Sequence, residues 1–232
     1  GRHRMYKVVT DKGKYAIKEL NPGVMKRKDA YSNFIFSEKI SEIALQNGIT
    51  AIGALKVNNE VIIKIDDNYY MIFKWLDGRI LNADEITEKH CEIIGKVLAK
   101  IHNIDFNEIE DEKRKNINLE YYDWNKYIDL AEKNNKTYVN VLKQNIELLY
   151  ELNEKSIKAL KCANRDLIIS HTDLDRKNVM WQGDKPFIID WEASGYINPT
   201  IELIQVAWYW SGGDIENIDY NKFNTLIIPR NV

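Results

Sequence analysis

The sequence predicts an α+β fold in which a small antiparallel sheet carrying one helix precedes a larger, mainly helical part. Three observations predict it. Two period-two alternations flank the turn Asp11-Lys12-Gly13-Lys14; an apolar stripe at helical spacing follows and gives way to strand texture again; and beyond Gly78 the apolar residues return to helical spacing. The 232 residues are 44% hydrophobic and 29% charged. That is enough apolar material for one substantial core or two small lobes sharing a cleft.

In chain order, Met5 to Thr10 and Tyr15 to Leu20 read as a hairpin around that turn. After Pro22-Gly23, Phe34, Ile35, Ile40, Ile43, Ala44 and Leu45 predict a helix from about Tyr31 to Gln46, with Gly48 as its stop. Strand character returns over 54–76, with Val61-Ile62-Ile63, a turn at Asp66-Asp67-Asn68, and the run Tyr69 to Leu76 ending at Asp77-Gly78. Two divisions are expected, 1–76 and 77–232. In the second, Ile93, Ile94, Val97, Leu98 and Ile101 share a helical face over Glu92 to Ile101, and Val139 to Leu160 continues the pattern. Between them Asn103 to Glu120 is polar and reads as a loop, and Trp124 to Ala131 reads as a short helix. Short strand-like pieces follow at Leu167 to Ser170, Val179 to Trp181 and Pro186 to Ile189, separated by polar loops. Such loops, held between strands, suit catalytic side chains.

Charge and cysteine content narrow the function. Lys and Arg total 33 against 35 Asp and Glu, a net charge of -2, so no overall positive field draws nucleic acid or an anionic membrane. A small molecule is the expected partner. Cys91 and Cys162 fit no paired motif, which points to neither a disulfide framework nor a zinc site and makes a reducing cytoplasm the expected compartment. Apolar runs such as Leu167-Ile168-Ile169 are far shorter than the roughly 18 residues of a membrane span, and Gly1-Arg2-His3-Arg4 is no secretory signal.

The chemistry concentrates in His171-Thr172-Asp173-Leu174-Asp175-Arg176-Lys177-Asn178, which fits H-x-D-x-x-x-x-N, and in Asp190, at the end of Ile188-Ile189-Asp190. The pair resembles the catalytic loop and metal-binding segment of the aminoglycoside phosphotransferase and choline kinase superfamily, small-molecule kinases related to protein kinases. The resemblance implies a two-lobed protein-kinase-like fold, a 1–76 nucleotide-binding lobe and a 77–232 catalytic and substrate lobe. It also implies transfer of the γ-phosphoryl group of ATP or GTP to a hydroxyl of a small, aminoglycoside-like molecule. Phosphoryl transfer asks the protein for positioning and charge neutralisation. On the resemblance, Asp173 is the catalytic residue that accepts the hydroxyl proton, and Asn178 and Asp190 supply hard oxygen ligands to Mg2+.

Other segments extend the resemblance. Tyr15-Ala16-Ile17-Lys18 is similar to the family's strand lysine, which pairs the phosphates and is itself held by a helix glutamate. Glu38 and Glu42 lie one turn apart on the expected helix, and Glu38 fits the family spacing better. Met71 to Gly78 resembles the interlobe hinge, where the main chain of Lys74 and Leu76 meets the purine. Val97 to His102 resembles a helix-ending signature. Trp191-Glu192 through Asn198-Pro199 to Glu202-Leu203 is similar to the D-W-E…D-P…D-L segment, with Glu202 where aspartate is commoner, a change expected to bear on loop anchoring. No A-P-E signature follows, which disfavours a protein substrate.

The acceptor is left open by the sequence. The 103–161 span mixes acidic and basic residues almost evenly, so it selects neither a polycation nor its opposite. Tyr121, Tyr122, Trp124, Trp208 and Trp210 are candidates for an aromatic box around a quaternary ammonium, or for core. A choline or amino-alcohol kinase, and a kinase-like structural protein of coat type, are the alternatives. Retention of Lys18, Asp173, Asn178 and Asp190 favours an enzyme. The family's first strand and glycine-rich loop are expected before Gly1, and further helix after Val232.

Overall fold

Strands β1 (Arg4–Thr10) and β2 (Gly13–Leu20) form the expected hairpin, pairing antiparallel from Arg4↔Glu19 to Thr10↔Gly13 in a computed structural model. The structure describes residues 3–109, 111, 114–115, 120–163, 166–212 and 217–228. The glycine at the turn is required there, because Gly13 sits at φ +139°, a conformation that side-chain-bearing residues rarely adopt.

A short helix α1 (Pro22–Met25) follows, which the sequence reading took only as a break at Pro22-Gly23. Asn21 caps it through Gly23 N–H, and Pro22 enters at the first turn, where its missing N–H costs nothing. Helix α2 (Ala30–Gln46) spans the expected stretch, and β3 (Ile63–Ile65) and β4 (Asn68–Lys74) complete a four-stranded antiparallel sheet in the order β1-β2-β4-β3. Lys18 stands opposite Met71, and Tyr15 opposite Lys74. Leu20, Phe34, Val61, Ile62 and Met71 form the small core between sheet and α2.

The chain divides into two compact units, 1–111 with 168–232, and 112–167. In the first unit, α3 (Glu88–His102) begins four residues before the expected start. Thr87 caps it, and His90 takes the reciprocal place usually held by Glu or Gln. The unit also holds β5 (Ile168–Ser170), β6 (Val179–Gln182), β7 (Lys185–Ile188), and a strand the sequence reading missed, β8 (Gly195–Ile197), which pairs with β5. Helix α7 (Pro199–Trp210) contains the apolar run after Glu202, and α8 (Tyr220–Ile227) was not foreseen. Helix α8 packs so closely on α3 that a Cβ at Gly95 would lie 2.9 Å from Leu226 O.

The main core draws on both ends of this unit. Ile40, Ile43 and Ala44 of α2 bury with Leu98, Ile101, Val179, Ile188, Trp191 and Trp210, and each large side chain contributes about 1.5–3 kcal/mol by leaving water. Backbone bonds reinforce the union: Ile52 N–H donates to Ile188 O, and Ile188 N–H to Thr50 O, both at 2.9 Å. The segment after α2 is thereby stitched to β7, two residues before Asp190.

The second unit contains α4 (Trp124–Lys133), α5 (Val139–Gln144) and α6 (Ile146–Ala163). The single stretch expected over 139–160 is broken at Asn145. Parts of the expected loop at 103–120 lie outside the described residues; a 3-10 turn occupies Asn107–Ile109. No described helix is long and apolar enough to cross a membrane.

Candidate active site

The loops after β5 and after β7 each turn on a left-handed residue that the sequence could not reveal. Thr172 has φ +62° and Asp190 φ +59°, and for a β-branched residue such as Thr this is a true outlier, with a cost on the order of 1–3 kcal/mol. Two partners hold it, one buried and one exposed. Thr172 N–H donates to Glu202 Oε1 at 2.8 Å, and Thr172 Oγ1 donates to Ala193 O at 2.6 Å. Glu202, fully buried on α7, takes His102 Nε2 on its other oxygen at 2.7 Å.

His171 is also fully buried. Its Nε2 donates to Ile189 O at 3.1 Å and its Nδ1 accepts Asp173 N–H at 3.3 Å, which fixes a single neutral tautomer. Burial holds its pKa below the ordinary value. The ring is therefore a neutral strut between the two segments that carry the aspartates. Ile189 N–H adds a second tie, to Asn178 O at 2.9 Å.

These ties bring Asp173 and Asn178 together. Asn178 Nδ2 donates to Asp173 O at 2.8 Å and to Asp173 Oδ2 at 2.9 Å. With Nδ2 committed, Asn178 Oδ1 is the atom of this amide left to a cation. Asp173 Oδ1 has no partner among the described residues, and the carboxylate is one-third exposed.

Lys18 and Asp190 also meet. Lys18 Nζ lies 2.8 Å from Asp190 Oδ1 and 2.6 Å from Glu192 Oε2. Burial alone would lower the pKa of Lys18, but the two carboxylates outweigh it and hold the ammonium above the ordinary lysine value. Glu192 was quoted in the sequence motif without a role, and only the fold brings it to Lys18. Its Oε2 also lies 3.3 Å from His3 Nε2.

Glu38 is placed differently from the expected lysine partner. Its Oε2 accepts Ala54 N–H at 2.6 Å, and Ser41 Oγ lies 3.5 Å away. A Cβ at Gly53 would come within 2.6 Å of Ser41 Oγ and 3.2 Å of Glu38 Oε2, so the close approach depends on glycine there. Burial pushes the Glu38 carboxyl up, against the opposing pull of the Ala54 N–H and the nearby Lys18 charge. Glu42 is engaged elsewhere, with Lys56 at 2.7 Å on the exposed side of the helix.

A cavity of about 470 Å³ is lined by Lys18, Asp190 and Glu192 but not by Asp173, Asn178 or Glu38. Lys18, Asp190 and Glu192 cluster in its lining; Lys74, Trp75 and Leu76 bring the expected hinge to it; and Ala16, Ile52, Phe73, Met180 and Ile189 add apolar lining, Ile52 from outside every element expected from the sequence. Apolar walls with a few clustered charged groups suit a flat ring carrying a polar tail.

Among the described residues no group of three or more His, Cys, Asp or Glu could hold a metal unaided. The donor set is nonetheless suited to Mg2+, a hard cation that takes one or two protein oxygens and completes its shell with phosphates and water. Asn178 Oδ1 and the Asp190 carboxylate could supply such oxygens. Of the residues that were candidates for an aromatic box, Trp210 is buried in the core, where its Nε1 donates to Leu174 O at 2.9 Å. Tyr121 stacks on Tyr150, and Tyr122, Trp124 and Tyr127 cluster within the 112–167 unit.

Residues 2–225 match the model of a family described as the phosphotransferase enzyme family. No curated protein matches the chain. Solved structures of similar fold include a spectinomycin phosphotransferase in complex with ADP and spectinomycin, 15% identical with a TM-score of 0.70, over 100% of this chain and 72% of that one. An amicoumacin kinase in complex with AMP-PNP, Ca2+ and Ami is 12% identical, with a TM-score of 0.65 over 99% and 69% of the two chains. A Plasmodium vivax ethanolamine kinase is 20% identical, with a TM-score of 0.61 over 97% and 65%.

Proposed function

The chain belongs to the phosphotransferase enzyme family, and from that premise we propose that it moves the γ-phosphoryl group of ATP or GTP to a hydroxyl of a small molecule, with 1–76 serving the nucleotide and 77–232 the acceptor. The observation that carries this reading is the single cavity onto which Lys18, Asp190 and the Lys74–Leu76 segment all open. An acceptor of aminoglycoside type is proposed first and an amino alcohol second, since the structures of similar fold include a spectinomycin phosphotransferase and an ethanolamine kinase. The two free thiols, one buried and one exposed, suit a reducing cytoplasm.

The residues divide the work. The purine lies between Ala16, Ile52, Phe73, Met180 and Ile189, with main-chain groups of Lys74 and Leu76 at its edge. Lys18 exchanges its two carboxylate partners for the α/β phosphates, a like-for-like replacement of anions that leaves the ammonium paired. Asn178 Oδ1 and Asp190 would hold Mg2+, whose charge would offset that of the β- and γ-phosphates. Asp173 Oδ1 takes the proton of the acceptor hydroxyl, while Asn178 Nδ2 keeps Oδ2 fixed. Thr172, anchored on Glu202 and Ala193, aims that carboxylate.

A panel of hydroxylated acceptors, aminoglycosides and amino alcohols among them, assayed for nucleoside diphosphate release tests the reading. At least one acceptor is expected to stimulate release well above the rate with water alone. No stimulation by any acceptor, with nucleotide bound, would favour the structural alternative.

A further inference from the structure

Lys177 stands beside the proposed base and has no part in the scheme above. Its Nζ lies 3.6 Å from Asp173 Oδ2 and 3.3 Å from Asp175 Oδ2. Both contacts are partly solvated, the lysine side chain being 60% exposed and those of Asp173 and Asp175 33% and 21%. Ion pairs of this kind contribute little to stability, so a fold has small need of them. The same solvation makes them cheap to exchange for another anion.

We propose that Lys177 is a further catalytic residue, whose ammonium contacts the phosphoryl group as it passes from nucleotide to acceptor. The inference rests on the reading given under Proposed function. An acceptor hydroxyl that gives its proton to Asp173 must come within about 2.6–3.2 Å of that carboxylate. The phosphorus that this oxygen attacks, with its three charge-bearing oxygens, is one bond further on. An ammonium already 3.6 Å from the carboxylate, on a flexible four-carbon stem, reaches that group with a small side-chain rotation. The loop also needs a cation there. Asp173 and Asp175 both repel an incoming phosphoryl group, and among the described residues Lys177 is the only cation ion-paired with either of them.

The step balances without any further reactant. The bond between the γ-phosphorus and its bridging oxygen breaks, with the electron pair leaving on the nucleoside diphosphate. The bond from acceptor oxygen to phosphorus forms, and the hydroxyl proton goes to Asp173. Lys177 keeps its protons throughout and offsets charge that is spread over the transferring oxygens.

The test uses ADP and GDP with Mg2+, with and without aluminium fluoride, a planar or octahedral mimic of the group in transit, and reads affinity by calorimetry. The wild-type protein is expected to bind its preferred diphosphate more tightly when aluminium fluoride is present. Lys177→Met should keep the affinity for the diphosphate alone and lose on the order of 10²-fold of that gain, the effect typical of deleting one donor to developing charge. Lys177→Arg should retain most of it. An unchanged gain in Lys177→Met, an equal loss of affinity for the diphosphate alone, or a wild type that binds diphosphate with no gain would each overturn the inference. Failure of the wild type to bind either diphosphate would instead overturn the nucleotide site itself.

Discussion

Glu202 and Thr172 meet through a single bond, backbone N–H to Oε1 at 2.8 Å, between a fully buried carboxylate and a residue in a conformation its side chain disfavours. The loop that carries Asp173 thereby depends on α7, thirty residues further along the chain. Glu202→Ala would leave both the Thr172 N–H and His102 without their anion. We expect a loss of about 3–5 kcal/mol in unfolding free energy by denaturant titration, the usual cost of removing one partner of a buried pair. Turnover should fall in the fraction that remains folded, with little change in nucleotide affinity. Glu202→Asp, one carbon shorter, should fall between Ala and wild type in both measurements.

His171 makes stability depend on pH. Its folded-state pKa is held below the ordinary 6.5 by burial, so the unfolded chain takes up the proton more readily. Its contribution is therefore complete above about pH 6.5. It is lost as pH falls below that value towards the folded pKa, with a slope of up to about 1.4 kcal/mol per pH unit. In His171→Gln, whose amide nitrogen can still donate to Ile189 O, unfolding free energies measured between pH 7 and 5 should show a shallower acid loss. Part of the slope should persist, since burial also lowers the pKa of the partly buried His90.

Much of this was legible from residue order, and what was not has physical causes. The hairpin of β1 and β2 and the helix α2 follow from period and from turn chemistry alone. Helix α1 was missed because Pro22-Gly23 reads as a breaker, whereas Asn21 as cap converts the same proline into a start. Strand β8 is three residues long and half-buried throughout, too short for a period to show. In the proposed site, spacing singled out Asp173, Asn178 and Asp190, because one loop and one strand end hold them. It could not pair Lys18 with Glu192, since that contact joins residues 174 positions apart. Nor could it find Ala54 as the partner of Glu38, which depends on the room left at Gly53.

Glu38 and Glu42 offer a sharp contrast on one helix. Glu38 is buried, receives Ala54 N–H and faces the Lys18 charge, whereas Glu42 forms an exposed pair with Lys56. Glu38→Gln should weaken nucleotide binding and lower turnover severalfold or more. Glu42→Gln should change both by less than twofold, as exposed ion pairs contribute only about 0–1 kcal/mol. Equal effects, or a larger effect at Glu42, would remove Glu38 from the account.

The most direct test of the whole account separates the two aspartates. Calorimetric titration of the Mg-nucleotide into Asp173→Asn and Asp190→Asn, beside steady-state rates on an active acceptor, should show two different failures. Asp173→Asn keeps size and most hydrogen bonding but loses the proton acceptor, so its kcat should drop by roughly 10² to 10⁴ with nucleotide affinity nearly unchanged. Asp190→Asn loses a charged oxygen ligand, so nucleotide binding should weaken and demand more Mg2+. If Asp173→Asn abolished nucleotide binding while Asp190→Asn left it intact, the assignment of base and metal ligand would be contradicted; full turnover in both variants would contradict phosphoryl transfer at this site.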